Sequence, residues 1–204
     1  MKSTLFSLLT IIASLGLAQN TVSVGSQTWM SKNLESPQFQ NGGAIRQVQD
    51  REEWVRVTES GQPAWAYYYD EALGKQYGYM YNIHSITKGN PCPKGFRVPT
   101  NQDWEKLFNF LGASAGLAMK SSTGWETYNG KGNGTNSSGF NALPGGIRSG
   151  SGGFNDYTKA TYFWSNTSHP DQGLWSVMLM WHMENAKLNP SGFKGALHCR
   201  CIKE

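Results

Sequence analysis

Charge is scarce in this 204-residue chain, with only 16% of residues Asp, Glu, Lys or Arg. The formal net charge of +4 is spread along the chain with no run of Lys or Arg. The clustered basic stripe of a nucleic-acid binder is missing, so that partner class is excluded. Long apolar runs are also missing. The longest, Leu5 to Leu17, covers thirteen residues, too few for a helix to cross a ~30 Å hydrocarbon core, and no transmembrane anchor is expected. Cysteine occurs three times, which excludes a disulfide-dense scaffold, and no repeat of fixed period appears. What the chain does have is 8 Trp, 9 Tyr, 9 Phe and 24 Gly within a 38% hydrophobic composition, neither disordered nor collagen-like. A chain of this size buries roughly 70% of its unfolded surface as one domain. A single domain over residues 19–204 is the expectation.

Residues 1–18 read as a signal peptide. Lys2 is a basic head, Leu5 to Leu17 the apolar stretch, and Gly16-Leu17-Ala18 a small-residue cleavage site, so cleavage after Ala18 and export to the cell surface or medium are expected. Export makes disulfide formation the first reading of the cysteines. Cys199 and Cys201, one residue apart on a strand, would point to one face with poor geometry for bonding each other. The bridge then runs from Cys92 to one of the two, closing a loop of about a hundred residues, which the chain-entropy model credits with roughly 4–5 kcal/mol. His198-Cys199-Arg200-Cys201 lacks the fourth ligand and the spacing of a zinc motif. No metal and no cofactor are expected.

Short strands separated by Gly, Asn and Ser dominate the pattern. Thr21 to Met30 reads as a hairpin turning at Gly25-Ser26. Asp50-Arg51-Glu52-Glu53 opens a short helix through Val57, with Trp54 and Val57 inward. Pro63–Tyr69 and Tyr77–Ile86 read as aromatic strands. A second helix starts at the Thr100 cap, carries Trp104, Leu107, Phe108 and Leu111 on one face, and stops at Gly112. From Lys120 to Ala160 the chain is rich in Gly and Asn, yet it holds Trp125, Tyr128, Phe140, Phe154 and Tyr157. Anchors of that kind predict long ordered loops rather than a linker. Strands resume over Thr161–Ser165, Leu174–Trp181 and Ala196–Ile202.

The segment Cys92-Pro93-Lys94-Gly95-Phe96-Arg97-Val98-Pro99-Thr100, followed by Asp103-Trp104-Glu105, resembles the signature of the Fibrobacter succinogenes major paralogous (FISUMP) domain family. Further blocks agree in order: Gln27–Leu34, Tyr77–Asn82, Asn136–Gly146 with Arg148, Phe163–Ser165 and the terminal Arg200–Lys203. The resemblance implies an α+β, C-type-lectin-like fold, with small antiparallel sheets, one or two helices and long ordered loops. It also implies a disulfide between Cys92 and Cys201, with Cys199 as a departure from the pattern.

Catalytic signals do not survive their context. Gly112-Ala113-Ser114-Ala115-Gly116 matches a nucleophile elbow, but it follows a helix instead of joining a strand to one. Gly130, Gly132 and Gly134 lack the strand-to-helix setting of a phosphate loop, and His182-Met183-Glu184 lacks the C-x-x-C of a deaminase. The resemblance extends to sulfatase-modifying domains, which use paired thiols; a Cys92–Cys201 bridge would leave Cys199 without a partner, so a thiol oxidase is only the lesser alternative. No catalytic residue is assigned. A lectin-type calcium triplet is missing, and Trp164-Ser165-Asn166 matches its partner motif only in part, so no calcium is expected. The leading expectation is a non-catalytic module that binds an extracellular glycan or surface protein through loops 121–160 and 166–173. Its candidate ligand-binding residues are Trp125, Tyr128, Asn155, Asp156, Tyr157, Asn166 and Asp171, by ring stacking and amide or carboxylate hydrogen bonds. The other expectation is a structural cell-envelope protein.

Overall fold

The structure, a computed structural model, describes residues 20–192 and 194–204. The expected signal peptide at 1–18 and its cleavage after Ala18 lie outside the described residues. In chain order the elements are β1 Thr21–Val24, β2 Gln27–Met30, β3 Arg46–Gln47, α1 Arg51–Glu59, β4 Ala64–Ala66, α2 Glu71–Tyr77, β5 Met80–Asn82, α3 Ile83–Thr87, β6 Phe96–Arg97, α4 Asn101–Leu111, α5 Ala115–Met119, β7 Gly145–Arg148, β8 Phe154–Tyr157, β9 Ala160–His169, β10 Gly173–Met180, β11 Lys187–Ser191, β12 Ala196–His198 and β13 Ile202–Lys203. The fold is α+β. A four-stranded antiparallel sheet runs β1-β2-β13-β6, and a nine-stranded one runs β11-β10-β9-β7-β12-β5-β4-β3 with β8 on β7. The larger sheet is mixed: β3 with β4, β7 with β9 and β9 with β12 pair parallel. Among the described residues no helix is long and apolar enough to cross a membrane.

The two longest helices form where caps and apolar spacing agree. Asp50 accepts from the Glu53 amide at the start of α1, which buries Trp54 and Val57. In α4, Thr100 and Asp103 complete a capping box, and Trp104 and Leu107 are buried. Arg97 grips the Asp103 carboxylate with both guanidinium nitrogens, at 2.6 and 2.9 Å. Burial works against that charge, but the bonds from Arg97 and Thr100 hold the carboxyl below its usual range. Three further helices of five to seven residues, α2, α3 and α5, exceed the one or two expected. The Tyr77–Ile86 segment is not one strand, because Tyr77 ends α2 against Gly78 at φ 79° and Asn82 caps α3 through the Ser85 amide. Nor is Ala196–Ile202 continuous: β12 and β13 belong to different sheets, and Cys199–Cys201 makes the crossing.

Three buried cations hold the irregular stretches, each bonded to backbone carbonyls. The Lys120 ammonium donates to the carbonyls of Gly132, Met180, Trp181 and Met183. Arg148 ties β7 to the carbonyls of Val48, Gln49 and Asp50. Arg200 donates to Asn33 Oδ1 and to the carbonyls of Met30 and Phe140. Desolvation pulls these groups down, Lys120 to about 8, Arg148 to about 10 and Arg200 to about 9. Their work is architectural. The Lys120 charge ties the Gly-rich stretch, through Gly132, to the end of β10 and the turn that follows it.

Candidate functional site

Ring-on-ring packing builds an exposed aromatic cluster. β4 runs into Tyr67-Tyr68-Tyr69, whose backbone is held by the Gln49 side chain, which accepts from the Tyr67 amide and donates to the carbonyls of Tyr67 and Tyr69. Tyr69 takes φ 57°, a left-handed conformation rare for a bulky side chain, and is 64% exposed. From the other side comes β8, paired with β7, with Phe154 and Tyr157 among its residues. Tyr69 stacks on Phe154 at 5.4 Å between centroids, and the buried Tyr68 stacks on Tyr157 at 5.2 Å. Tyr68 also touches Phe154 at 5.1 Å, and Tyr77 meets Tyr157 edge-on at 5.6 Å. The result is a platform in which Tyr68 is the floor and Tyr69, Phe154 and Tyr157 are the outer tier.

Rigidity comes from beneath. The Arg148 guanidinium lies 4.9 Å from the Phe154 centroid and 4.3 Å from that of Trp54. Gly146, at φ 69°, lets β7 pass under the platform; a Cβ there would run into the Asn155 carbonyl and the Tyr68 ring. Asp156, at φ 63°, accepts from the Tyr162 hydroxyl at 2.9 Å, which orients the carboxylate beside Tyr157. Burial pushes the Tyr68 phenol up to about 12 and raises Tyr77 further. The platform presents apolar ring area edged by the Tyr69 and Tyr157 hydroxyls, the Asn155 amide and the Asp156 carboxyl.

The seven residues singled out by sequence do not form one site. Asn155, Asp156 and Tyr157 lie together on the platform, Asn155 exposed and Tyr157 38% exposed. Tyr128 is 66% exposed on a turn whose stem is tied to the platform by the bond from the Glu126 amide to the Thr158 carbonyl and by the Lys159–Glu126 ion pair. Trp125 has to be corrected: it is only 4% exposed, donates its indole N–H to Ser121 Oγ and sits 5.2 Å from the Lys120 ammonium. It anchors the loop and presents no face to a ligand. Asn166 and Asp171 are exposed but stand at the other end of β9, whose ten residues span ~30 Å. The expected loop 166–173 is instead mostly strand, since β9 continues to His169 and β10 starts at Gly173. Tyr69 and Phe154 were missed. The signal for Tyr69 was the Tyr67-Tyr68-Tyr69 run preceding Asp70, and for Phe154 the pair of rings that brackets Asn155-Asp156.

Two other features stand apart from the platform. A groove of about 730 Å³ is lined by Lys32, Glu35, Phe39 and Lys94, among others, and reaches Met30 and Cys92. Burial raises the Glu35 carboxyl, with Lys32 opposing. Beside it, Cys92 and Cys201 form the disulfide, with Cα atoms 6.0 Å apart, and Cys199 is a buried free thiol 3.9 Å from the Cys201 sulfur. Burial pushes Cys199 up to about 12, far from the thiolate character of a reactive cysteine.

The bridge and the buried cations join segments far apart in sequence. Arg200 reaches Asn33 and Phe140, the Trp164 indole donates to the Tyr81 carbonyl, and the Leu34 amide donates to the Cys199 carbonyl. Apart from Cys199 these partners fall in five of the signature blocks, Asn33 and Leu34 sharing one, so the signature describes in large part how this fold is locked. A model of the Fibrobacter succinogenes major domain matches residues 22–203. The chain belongs to that family. No curated protein and no solved structure matches it. Most of the family signature is buried here, whereas Tyr69, Phe154 and Tyr157 lie outside the quoted blocks.

Proposed function

We propose that this member of the family is an exported, non-catalytic surface module that binds glycan on the Tyr69–Phe154–Tyr157 platform. The observation that carries the reading is the platform itself, two stacked ring pairs on a rigid base with Asn155 and Asp156 at the edge. Sugar rings present apolar C–H faces ringed by hydroxyls, and exposed aromatic side chains flanked by amide and carboxylate groups complement that chemistry. Stored backbone strain at Tyr69, Asp156 and Thr158 gathers at the same place, as it does in sites shaped by use. The C-type-lectin-like architecture and the signal peptide read from the sequence agree with this assignment. A thiol oxidase is disfavoured because Cys201 is bonded to Cys92 and Cys199 is buried with a raised pKa.

The test is a polysaccharide array probed with the chain from residue 19 onward, alongside Tyr69→Ala and Tyr157→Ala. Saturable binding by the parent, weakened in both variants at unchanged thermal stability, is the expected result. No binding over broad glycan coverage would leave the structural cell-envelope reading in its place.

A further inference from the structure

The sulfurs of Cys92, Cys199 and Cys201 are buried and lie within 4.8 Å of one another, the one group of potential metal ligands of this kind found among the described residues. Two of them form the bridge, and the third stands 3.9 Å from Cys201 without being bonded to either. Three thiolates about an ion at the ~2.3 Å zinc–sulfur distance stand ~3.8–4.0 Å apart, whether the site is tetrahedral or trigonal. Cys199 already holds that separation from Cys201, and opening the bridge allows Cys92 to take it up as well.

Charge and access favour the same reading. A divalent ion with three thiolates carries one net negative charge, which is costly to bury unless it is compensated. Arg200 is fully buried, carries no carboxylate among its hydrogen-bond partners, and acts electrostatically on Cys199. It is a resident counter-charge for such a centre. Met30 and Cys92 line the 730 Å³ groove, so one wall of the sulfur cluster borders space that solutes enter.

We propose that, once the bridge is reduced, Cys92, Cys199 and Cys201 form a three-thiolate site for a soft divalent ion of the zinc class. A trialkylphosphine carries out the first step: phosphorus is oxidised to the phosphine oxide with oxygen from water, and the S–S bond opens to two thiols that take up water's two protons. Binding then replaces three S–H bonds with three metal–sulfur bonds and releases three protons, with no change in oxidation state.

The probe is Cd²⁺, whose bonds to thiolate give an ultraviolet charge-transfer band, added to the phosphine-reduced chain and followed together with far-ultraviolet circular dichroism. The expected result is a band that saturates at one equivalent in the reduced parent, is lost in the oxidised parent, and is lost or saturates far later in reduced Cys199→Ser. If the reduced chain proves unfolded, one equivalent of Cd²⁺ should restore its dichroism, and failure to restore it overturns the proposal. A folded reduced parent with no band also overturns it, as does a band of equal strength and stoichiometry in Cys199→Ser or in the oxidised protein.

Discussion

His198 should make this fold labile to mild acid. Its imidazole is fully buried at the end of β12; Nδ1 lies 3.3 Å from the Tyr79 carbonyl oxygen, Nε2 has no partner, and Gly145 closes over it. Burial is the main cause that pulls it down to about 4, and the Arg200 charge adds to the effect. An unfolded histidine titrates near 6.5. Because the folded value is the lower one, the unfolded chain binds the extra proton between those limits, so stability is present above pH 6.5 and is lost as the pH falls toward 4. A gap of about 2.5 pKa units corresponds to roughly 3 kcal/mol, or about 10 °C in melting temperature for a chain of this size. Urea unfolding at intervals from pH 7 to 4, on the parent and on His198→Gln, measures it. His84, also pulled down by burial, and Glu35, raised by burial, titrate in both proteins and cancel in the difference. Asp103 and Asp50, whose values are lowered, act below the window. The parent should lose roughly 3 kcal/mol more than the variant across it. A parent-minus-variant difference that stays flat from pH 6.5 to 4 would refute the argument.

Other perturbations follow from particular contacts. Lys120→Met removes the ammonium that four carbonyls share, of which Met180's alone keeps a second bond, from the Met183 amide, and should cost at least about 2 kcal/mol in chemical denaturation; a neutral result would mean the loop does not depend on that charge. Gly146→Ala forces a Cβ into Tyr68 and the Asn155 carbonyl at a positive φ, so the melting temperature should fall and the glycan signal with it. Cys92→Ser opens a bridge spanning 109 residues, for which the chain-entropy model sets a loss of up to about 5 kcal/mol; calorimetry on parent and variant reads it directly. Trp125→Ala should destabilise strongly, by about 3 kcal/mol or more, as core tryptophans do, in contrast to Tyr69→Ala, which removes an exposed ring and should leave the melting temperature nearly unchanged.

Local chemistry made part of this fold legible in the sequence. The β1–β2 hairpin at Gly25-Ser26 and the caps of α1 and α4 depend on neighbours a few residues apart, and they form where the residues place them. The Cys92–Cys201 bond was open on spacing alone, with Cys199 an equal competitor, and only the family resemblance chose between them. What stayed hidden was set at long range. Trp125 reads as a loop aromatic until Lys120 gathers carbonyls from the end of β10 and gives the indole a place to be buried. Asn166 looks like a loop residue because polar side chains interrupt the pattern, yet pairing with β10 carries β9 through to His169, whereas Asp171 does lie in the turn before β10. Tyr69 and Phe154 are separated by more than eighty residues, and no periodicity announces that the bend after β4 and the start of β8 will stack their rings.

The platform's role is tested most directly by nuclear magnetic resonance on the chain labelled at its aromatic side chains, titrated with an oligosaccharide identified on the array. Saturable shifts at the Tyr69, Phe154 and Tyr157 rings, with the buried Trp125 and Trp104 signals unmoved, are the predicted result. Shifts confined to the Phe39 ring would place binding in the groove beside the disulfide and contradict the account.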